Sequence, residues 1–311
     1  MSSHLFGPVL SRRYGLSLGV DLLRPKTCTL NCRFCQLGPT AAVTLVRRAD
    51  VPAAAIIEEL RAWVAGGGKA DWITLGGSGE PTLHLQFGEV LRWVRAQAAF
   101  RSLLLSNGSL FGDPEVRRDA LLADAVKLSL HAWDQASFER IARPHPELRF
   151  EAIIEGYRRF RAVYEGELNL EVFVVPGEND RVEQMARVAA LAASLQPARV
   201  TLNTAVRPPA DEGVAVCPPQ TLAALAKCFQ PVAEVPSAAP AAVAAPCIRP
   251  LSEARAAMRE LVRRHPATPD EVAAACGLTP GEALAELRAL AAAGEIRLWQ
   301  RDATWFAGPA A

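Results

Sequence analysis

Lysine is scarce in this chain: four residues, against thirty arginines, in a sequence of 311. The arginines are scattered, so the imbalance reads as a coding bias and not as a basic tract. Excess charge is missing too, because 34 basic and 33 acidic side chains leave a net +1. With no global field, nothing steers the chain toward nucleic acid or a membrane surface. No apolar run reaches the ~18 residues of a membrane-spanning helix. Residues 1–15 lack the charged-then-apolar pattern of a secretory leader. Seven cysteines, an odd number, argue against a secreted disulfide framework. Together these absences predict a soluble, cytoplasmic protein with no membrane partner.

Half the residues are hydrophobic, enough for a large core, and the length predicts roughly two domains. Strand-like runs at 16–22, 71–75, 101–106, 125–130, 168–175 and 198–204 alternate with helical patterns at 52–65, 86–98, 115–123, 150–164, 182–194 and 219–229. The stretch 6–15 reads as turn-rich and basic. Gly19, inside a strand, signals close backbone approach. Six alternations argue for a parallel sheet closed or partly closed by helices. In such folds chemistry gathers at the carboxyl ends of the strands.

Unusual residues stand at those ends. After the first strand come Cys28, Cys32 and Cys35, at a Cx3Cx2C spacing led by Lys26-Thr27. A [4Fe–4S] cluster is held by thiolates, so three clustered cysteines leave one iron open to a cofactor or substrate. A closed zinc site needs four ligands, and the candidates for a fourth, His4 and Cys247, are remote in sequence. Cys32 and Cys35 alone read as a redox pair. After the second strand comes Gly76-Gly77-Ser78-Gly79-Glu80-Pro81, whose glycines expose backbone beside a buriable carboxylate. Ser106-Asn107 follow the third strand; Ser129 and His131 follow the fourth. Arg143-Pro144-His145-Pro146 displays a cation and an imidazole on a stiff loop, as a substrate contact or a rigid turn. Arg207 follows the last strand, where its planar fork suits an anion. Either Glu171 or an anionic ligand is expected to pair it.

The cysteine loop, with Phe34 inside it, resembles the signature of the radical S-adenosylmethionine (radical SAM) superfamily. Gly79-Glu80-Pro81 is similar to the segment that binds the SAM amino group there. Phe6-Gly7-Pro8, Ser17–Asp21, Lys26-Thr27-Cys28 and Arg143–Pro146 extend the resemblance over residues 6–209, to an uncharacterised prokaryotic branch of Fe–S oxidoreductases. That branch resembles the wyosine-type tRNA-modification enzymes and, more distantly, the GTP cyclase of molybdopterin synthesis. The resemblance implies a partial (β/α)6 barrel. It implies a [4Fe–4S] cluster on Cys28, Cys32 and Cys35, with SAM chelating the open iron. An electron from an external flavodoxin- or ferredoxin-like donor then yields a 5′-deoxyadenosyl radical. SAM would be placed by Phe34, near its adenine, and by Gly77, Gly79, Glu80, Pro81, Ser106, Asn107, Ser129 and His131. His131 departs from the polar residue expected at its position. Arg12, Arg13, Arg143, His145 and Arg207 are the substrate-side candidates. The substrate would be a tRNA base, a peptide or a small molecule. The extra upstream cysteines of the wyosine enzymes are missing here, which weakens the tRNA reading.

Residues 1–234 are expected to form this core and 235–250, rich in alanine and proline, a linker. Residues 251–311 carry three helical stretches and a hairpin, in the order of a winged helix-turn-helix. Thr268-Pro269 and Thr279-Pro280 start two of those helices. Seven arginines against eight acids in this tail argue against DNA, since phosphate contacts need cations. Docking of a peptide, a partner protein or the barrel itself is the favoured role. A DNA-binding Fe–S regulator is the rival reading, but it leaves Gly79-Glu80-Pro81 unexplained. Cys217, Cys228 and Cys247 are too widely spaced for a compact auxiliary cluster. Cys276 reads as core.

Overall fold

A computed structural model describes residues 4–11, 14–24, 26–236, 251–264, 266–301 and 303–309. The chain opens with β1 (Leu5–Ser11), β2 (Gly15–Val20), α1 (Ala53–Ala65), β3 (Trp72–Leu75), α2 (Phe87–Gln97) and β4 (Arg101–Ser106). It continues with α3 (Pro114–Ala120), β5 (Ala125–Ser129), α4 (Gln135–Ala142), α5 (Phe150–Arg161), β6 (Glu167–Phe173), α6 (Val182–Ser194), β7 (Arg199–Asn203) and α7 (Pro219–Ala226). The C-terminal segment holds α8 (Leu251–Arg264), α9 (Pro269–Cys276), α10 (Pro280–Ala292), β8 (Ile296–Arg301) and β9 (Thr304–Pro309).

The strands β1 to β7 form one sheet in sequence order. Every neighbour pair from β2 to β7 is parallel, as strand–helix–strand crossovers require. The sequence missed two elements. The stretch 6–15 is not a turn-rich lead-in: most of it is β1 and the start of β2, an antiparallel pair. Its proline sits at an irregularity between Phe6 and Val9, on a sheet edge, where a missing N–H costs little. The close approach expected at Gly19 comes from a ring: a Cβ there would lie 2.1 Å from the Phe6 side chain. The second miss, α4, is short. Its start is fixed by Asp134, which accepts from Ser137 N while the Ser137 hydroxyl bonds back to the Asp134 backbone.

Strand alternation divides the sheet's two faces. Val126, Leu128, Leu170 and Val172 are fully buried in the main hydrophobic core, with Phe87, Tyr157, Phe160 and Met185 of the helices. The alternate residues Lys127, Ser129, Glu171 and Phe173 are only partly buried on the other face.

The C-terminal segment packs around its own apolar cluster, including Met258, Val262, Leu287 and Ile296. Thr268 and Thr279 cap α9 and α10 with reciprocal bonds to Glu271 and Glu282, as their sequences predict. Cys276 is buried in this cluster, as expected. Of the anticipated linker, residues 237–250 lie outside the described residues, as do Arg12, Arg13 and Cys247. Among the described residues no helix is long and apolar enough to cross a membrane.

Candidate functional site

The loops leaving the carboxyl ends of β2 to β7 meet over the sheet. The cysteine loop is pinned across the end of α4. Asn31 N donates to the carbonyls of Ala142 and Arg143, Arg33 N to Ile141 O, and His145 N to Thr29 O. The Asn31 side-chain oxygen accepts from Thr40 N at 2.8 Å. The Arg143–Pro146 segment therefore serves as backbone support for the cysteines. Its cation is not free for a substrate: Arg143 pairs with Asp211 at 3.0 Å. Asp211 also takes Arg33 Nε at 2.8 Å, and Arg33 bonds Glu178 at 2.5 Å. This network, which sequence reading missed, ties the residue between Cys32 and Phe34 to the loops after β6 and β7. Its acids lie in unpatterned loop sequence and carry no motif.

Cys28, Cys32 and Cys35 are each part-buried thiols, and none of the described cysteines is in a disulfide. Burial, then the charge of Glu80, pushes the Cys28 thiol up to about 11. Burial and then the neighbouring Cys35 and Cys28 push Cys32 well above its usual range. Thiols so crowded resist ionisation unless a cation joins them, and a coordinating thiol is deprotonated outright. Two donors already face the sulfurs: Lys26 Nζ lies 3.3 Å from Cys35 Sγ, and Asn107 Nδ2 lies 3.5 Å from Cys28 Sγ. Among the described residues no three His, Cys, Asp or Glu side chains are placed as a single-ion site. A [4Fe–4S] cluster puts each thiolate on its own iron, and three thiolates on one loop fit such a cluster with one iron left open. His4 Nδ1 bonds Glu59 Oε1 at 2.6 Å.

Glu80 joins the glycine loop to the cysteine loop. It is 1% exposed. Its Oε1 accepts from Thr82 N (3.0 Å), Thr82 Oγ1 (2.6 Å) and Ser106 Oγ (2.7 Å), and its Oε2 from Asn107 N (2.6 Å). Burial raises its pKa, and the same donors pull back toward the carboxylate. Asn107 Nδ2 in turn donates to Thr29 Oγ1 at 2.9 Å, and Glu80 N to Thr27 O at 3.0 Å. Gly79 lies so close to the cysteine loop that a Cβ would stand 1.8 Å from Thr27 O, so only glycine fits.

Phe34 stacks on Phe173, ring centroids 4.1 Å apart, and meets the His131 ring edge-on at 4.8 Å. Buried His131 accepts from Phe173 N through Nδ1 at 2.8 Å. That tautomer is neutral, and burial lowers the pKa to about 4 against the raising effect of nearby Glu171. His131 is a neutral wall residue. The unfolded chain binds this proton below pH 6.5 and the folded chain only near pH 4, so stability falls as pH drops between them. Unfolding in urea is expected to show a loss of about 2 kcal/mol at this site between pH 7 and pH 5. His131→Gln should flatten the profile by that amount; an unchanged profile would contradict the assignment.

Beside His131, Lys127 Nζ bonds Glu171 Oε1 at 2.8 Å, and Asn203 Nδ2 donates to the same oxygen at 2.5 Å. Sequence reading expected either Glu171 or an anionic ligand to pair Arg207. Instead Arg207 bonds Glu271 of α9 at 2.5 Å and Gln36 at 3.0 Å. Lys127 was not singled out by the sequence reading, and its pairing with Glu171 emerges only from the fold. Ser106 bonds Glu80 and its hydroxyl accepts from Gly108 N at 2.9 Å. Ser129's carbonyl accepts from the Tyr157 hydroxyl at 2.9 Å, which also reaches Asn107 O at 3.0 Å. Cys217 is buried in the core, and Cys228 lies just past α7 with its sulfur 3.9 Å from Val182 O.

Comparison with known proteins bears on this arrangement. A family profile described as the Radical SAM superfamily matches residues 23–189. A protein named GTPase Obg from Brachyspira hyodysenteriae is 35% identical over 211 residues; the match covers 68% of this chain and 31% of that protein. A UPF0026 protein from Helicobacter pylori is 37% identical over 209 residues, covering 66% of this chain and 67% of its own. The UPF0026 protein slr1464 from Synechocystis is 35% identical over 205 residues, covering 66% and 76%. The crystal structure of a radical SAM methyltransferase from Sphaerobacter thermophilus has a similar fold, with a TM-score of 0.50 at 17% identity over 70% of this chain and 65% of that one.

Proposed function

This chain belongs to the radical SAM superfamily, and we propose that it is an enzyme that cleaves SAM at a [4Fe–4S] cluster held by Cys28, Cys32 and Cys35. When bound, the reduced cluster and SAM supply a 5′-deoxyadenosyl radical that removes a hydrogen atom from a substrate. The observation that carries this reading is the hydrogen-bonded unit Glu80–Asn107–Thr29. It joins the cysteine loop and the glycine loop through one buried carboxylate. Lys26 and Asn107 orient the sulfurs and favour thiolate. The backbone of Gly77, Gly79, Glu80 and Pro81 receives the SAM ammonium, with the Glu80 carboxylate as its brace. Ser106, Asn107, Ser129 and neutral His131 form the ribose side, and Phe34 the adenine side. Spectroscopy tests the placement: after anaerobic reconstitution to about four irons per chain, SAM should alter the electron paramagnetic resonance signal of the reduced protein. An identical signal with saturating SAM would count against it.

Arg143, with Asp211, and Arg207, with Glu271, are held in ion pairs. We take Lys127, Glu171 and Asn203, joined through Glu171 beside His131, to be the groups that meet the substrate. A net charge of +1, with no field to draw in a polyanion, supports a peptide or a small molecule over a tRNA base. Nucleoside profiles of tRNA from deletion and parent strains should be identical; a missing modified base would reverse that preference. The reductant is an external flavodoxin- or ferredoxin-like protein, and the setting is the cytoplasm. Residues 1–234 form the partial (β/α)6 barrel and residues 251–311 a winged helix. The supporting observation for the latter is Ala267, which bridges Ala307 of β9 as the short first strand of such a domain does. In α10, Glu282 is engaged with Thr279 and Glu286 with Arg255. That acidic helix suits docking and not DNA.

A further inference from the structure

Arg264, the last residue of α8, lies outside the family-matched residues 23–189 and yet reaches Asp21, which in turn bonds the glycine loop. It is 9% exposed. Its Nη1 donates to Glu260 Oε2 at 2.6 Å, and its guanidinium lies 5.1 Å from the Phe6 ring centroid. Its Nε stands 3.5 Å from Asp21 Oδ2. Asp21 directly follows β2 and is 6% exposed. Its carboxylate accepts from the Ser78 hydroxyl and, at 3.3 Å, from Ser78 N. Gly77 is packed against it so tightly that a Cβ would lie 2.8 Å from the carboxyl carbon.

A buried carboxylate is costly unless a cation and hydrogen bonds hold it. Among the described residues Arg264 is the cation within ion-pair distance of Asp21. The same C-terminal segment grips the far side of the sheet. Glu271 pairs with Arg207, and Arg301 donates to the carbonyls of Arg207 and Val214, beyond β7. The segment thus touches both ends of the row of strands, and at one end it meets Asp21, the residue bonded to the loop that receives the SAM ammonium.

We propose that Arg264 is a positioning residue that acts through Asp21 to hold the Gly77–Ser78 segment in its SAM-binding form, making the C-terminal segment part of the cofactor site. Without the cation, the Asp21 carboxylate is no longer held against Ser78. Ser78 then loses a fixed acceptor and the loop amides and carbonyls lose their setting.

The inference rests on the SAM reading of that loop, and its test keeps the two apart. The full chain is reconstituted anaerobically, and three variants are compared at equal iron content: Arg264→Met, Arg264→Lys and Asp21→Asn. SAM affinity is measured by equilibrium dialysis, and amide hydrogen exchange is followed over residues 76–80 and, as control, 103–106. Losing a supporting group of this kind typically costs about tenfold in affinity. Arg264→Met and Asp21→Asn should each show that loss, with faster exchange confined to 76–80. Arg264→Lys should recover most of it. The double variant Asp21→Asn/Arg264→Met should be no weaker than either single, because both cut one pathway. Wild-type affinity in Arg264→Met or Asp21→Asn overturns the inference, as does faster exchange spread evenly over both segments. Should Arg264→Met not fold, Asp21→Asn and Arg264→Lys carry the same comparison. A reconstituted wild type that binds no SAM defeats the SAM reading, while localised exchange in Arg264→Met would still establish the link from Arg264 to the loop.

Discussion

Replacing any one of Cys28, Cys32 or Cys35 with alanine is expected to abolish SAM cleavage and to lower iron from about four per chain to well under one. The expectation follows from how little else is at hand. Each thiolate would serve a different iron, so no remaining sulfur can stand in for a lost one. Cys217 is committed to the hydrophobic core and Cys228 to the edge of α6. Iron and sulfide assays on the three variants check this. Cys217→Ala and Cys228→Ala are the controls and should keep both full iron and full cleavage. If the Cys32→Ala protein retained four irons and wild-type cleavage, the ligand assignment would be wrong. If Cys217→Ala lost iron beyond the first cluster, an auxiliary site would have to be admitted.

The next largest effect is expected at Glu80. Removing its side chain in Glu80→Ala strands the amides of Thr82 and Asn107 and the hydroxyls of Thr82 and Ser106 in a dry pocket. Bonds to a charged group contribute more than neutral ones, and each buried donor left without an acceptor adds its own penalty. A loss of at least about 3 kcal/mol in urea unfolding is therefore expected. Glu80→Gln keeps the shape but turns an NH2 group toward one set of donors, so it should recover only part of the loss. SAM affinity should fall with both, because Asn107, which faces Cys28 Sγ and Thr29, is oriented by the same carboxylate. Near-wild-type stability in Glu80→Ala would mean that water replaces the carboxylate and that the brace is not needed.

The sequence made the parallel sheet legible because each of its strands is apolar on the face that meets a helix, and each helix repeats on its own period. The edge strand β1 was hidden by Gly7-Pro8 and two arginines, features that normally mark a turn. It is paired antiparallel with the next strand, β2. Helix α4 escaped because eight residues hold barely two turns of periodicity. At the site, the cysteine and glycine motifs were readable because their chemistry is local. Their coupling was not, since it runs through Asn107 and Glu80, 27 residues apart. Arginines were the least readable. Arg143 and Arg207 stood out as cations on loops, but their partners, Asp211 and Glu271, lie 68 and 64 residues further on. Sequence shows that a cation is present and says nothing of which acid the fold brings to it.

The central claim is that the cysteine loop and the glycine loop together cleave SAM. Its most direct test is release of 5′-deoxyadenosine from SAM by the full chain, anaerobically reconstituted with iron and sulfide and reduced with dithionite. The account predicts 5′-deoxyadenosine and methionine in equal amounts, both absent from the Cys32→Ala protein. A preparation that holds a reduced four-iron cluster and forms neither product would contradict it.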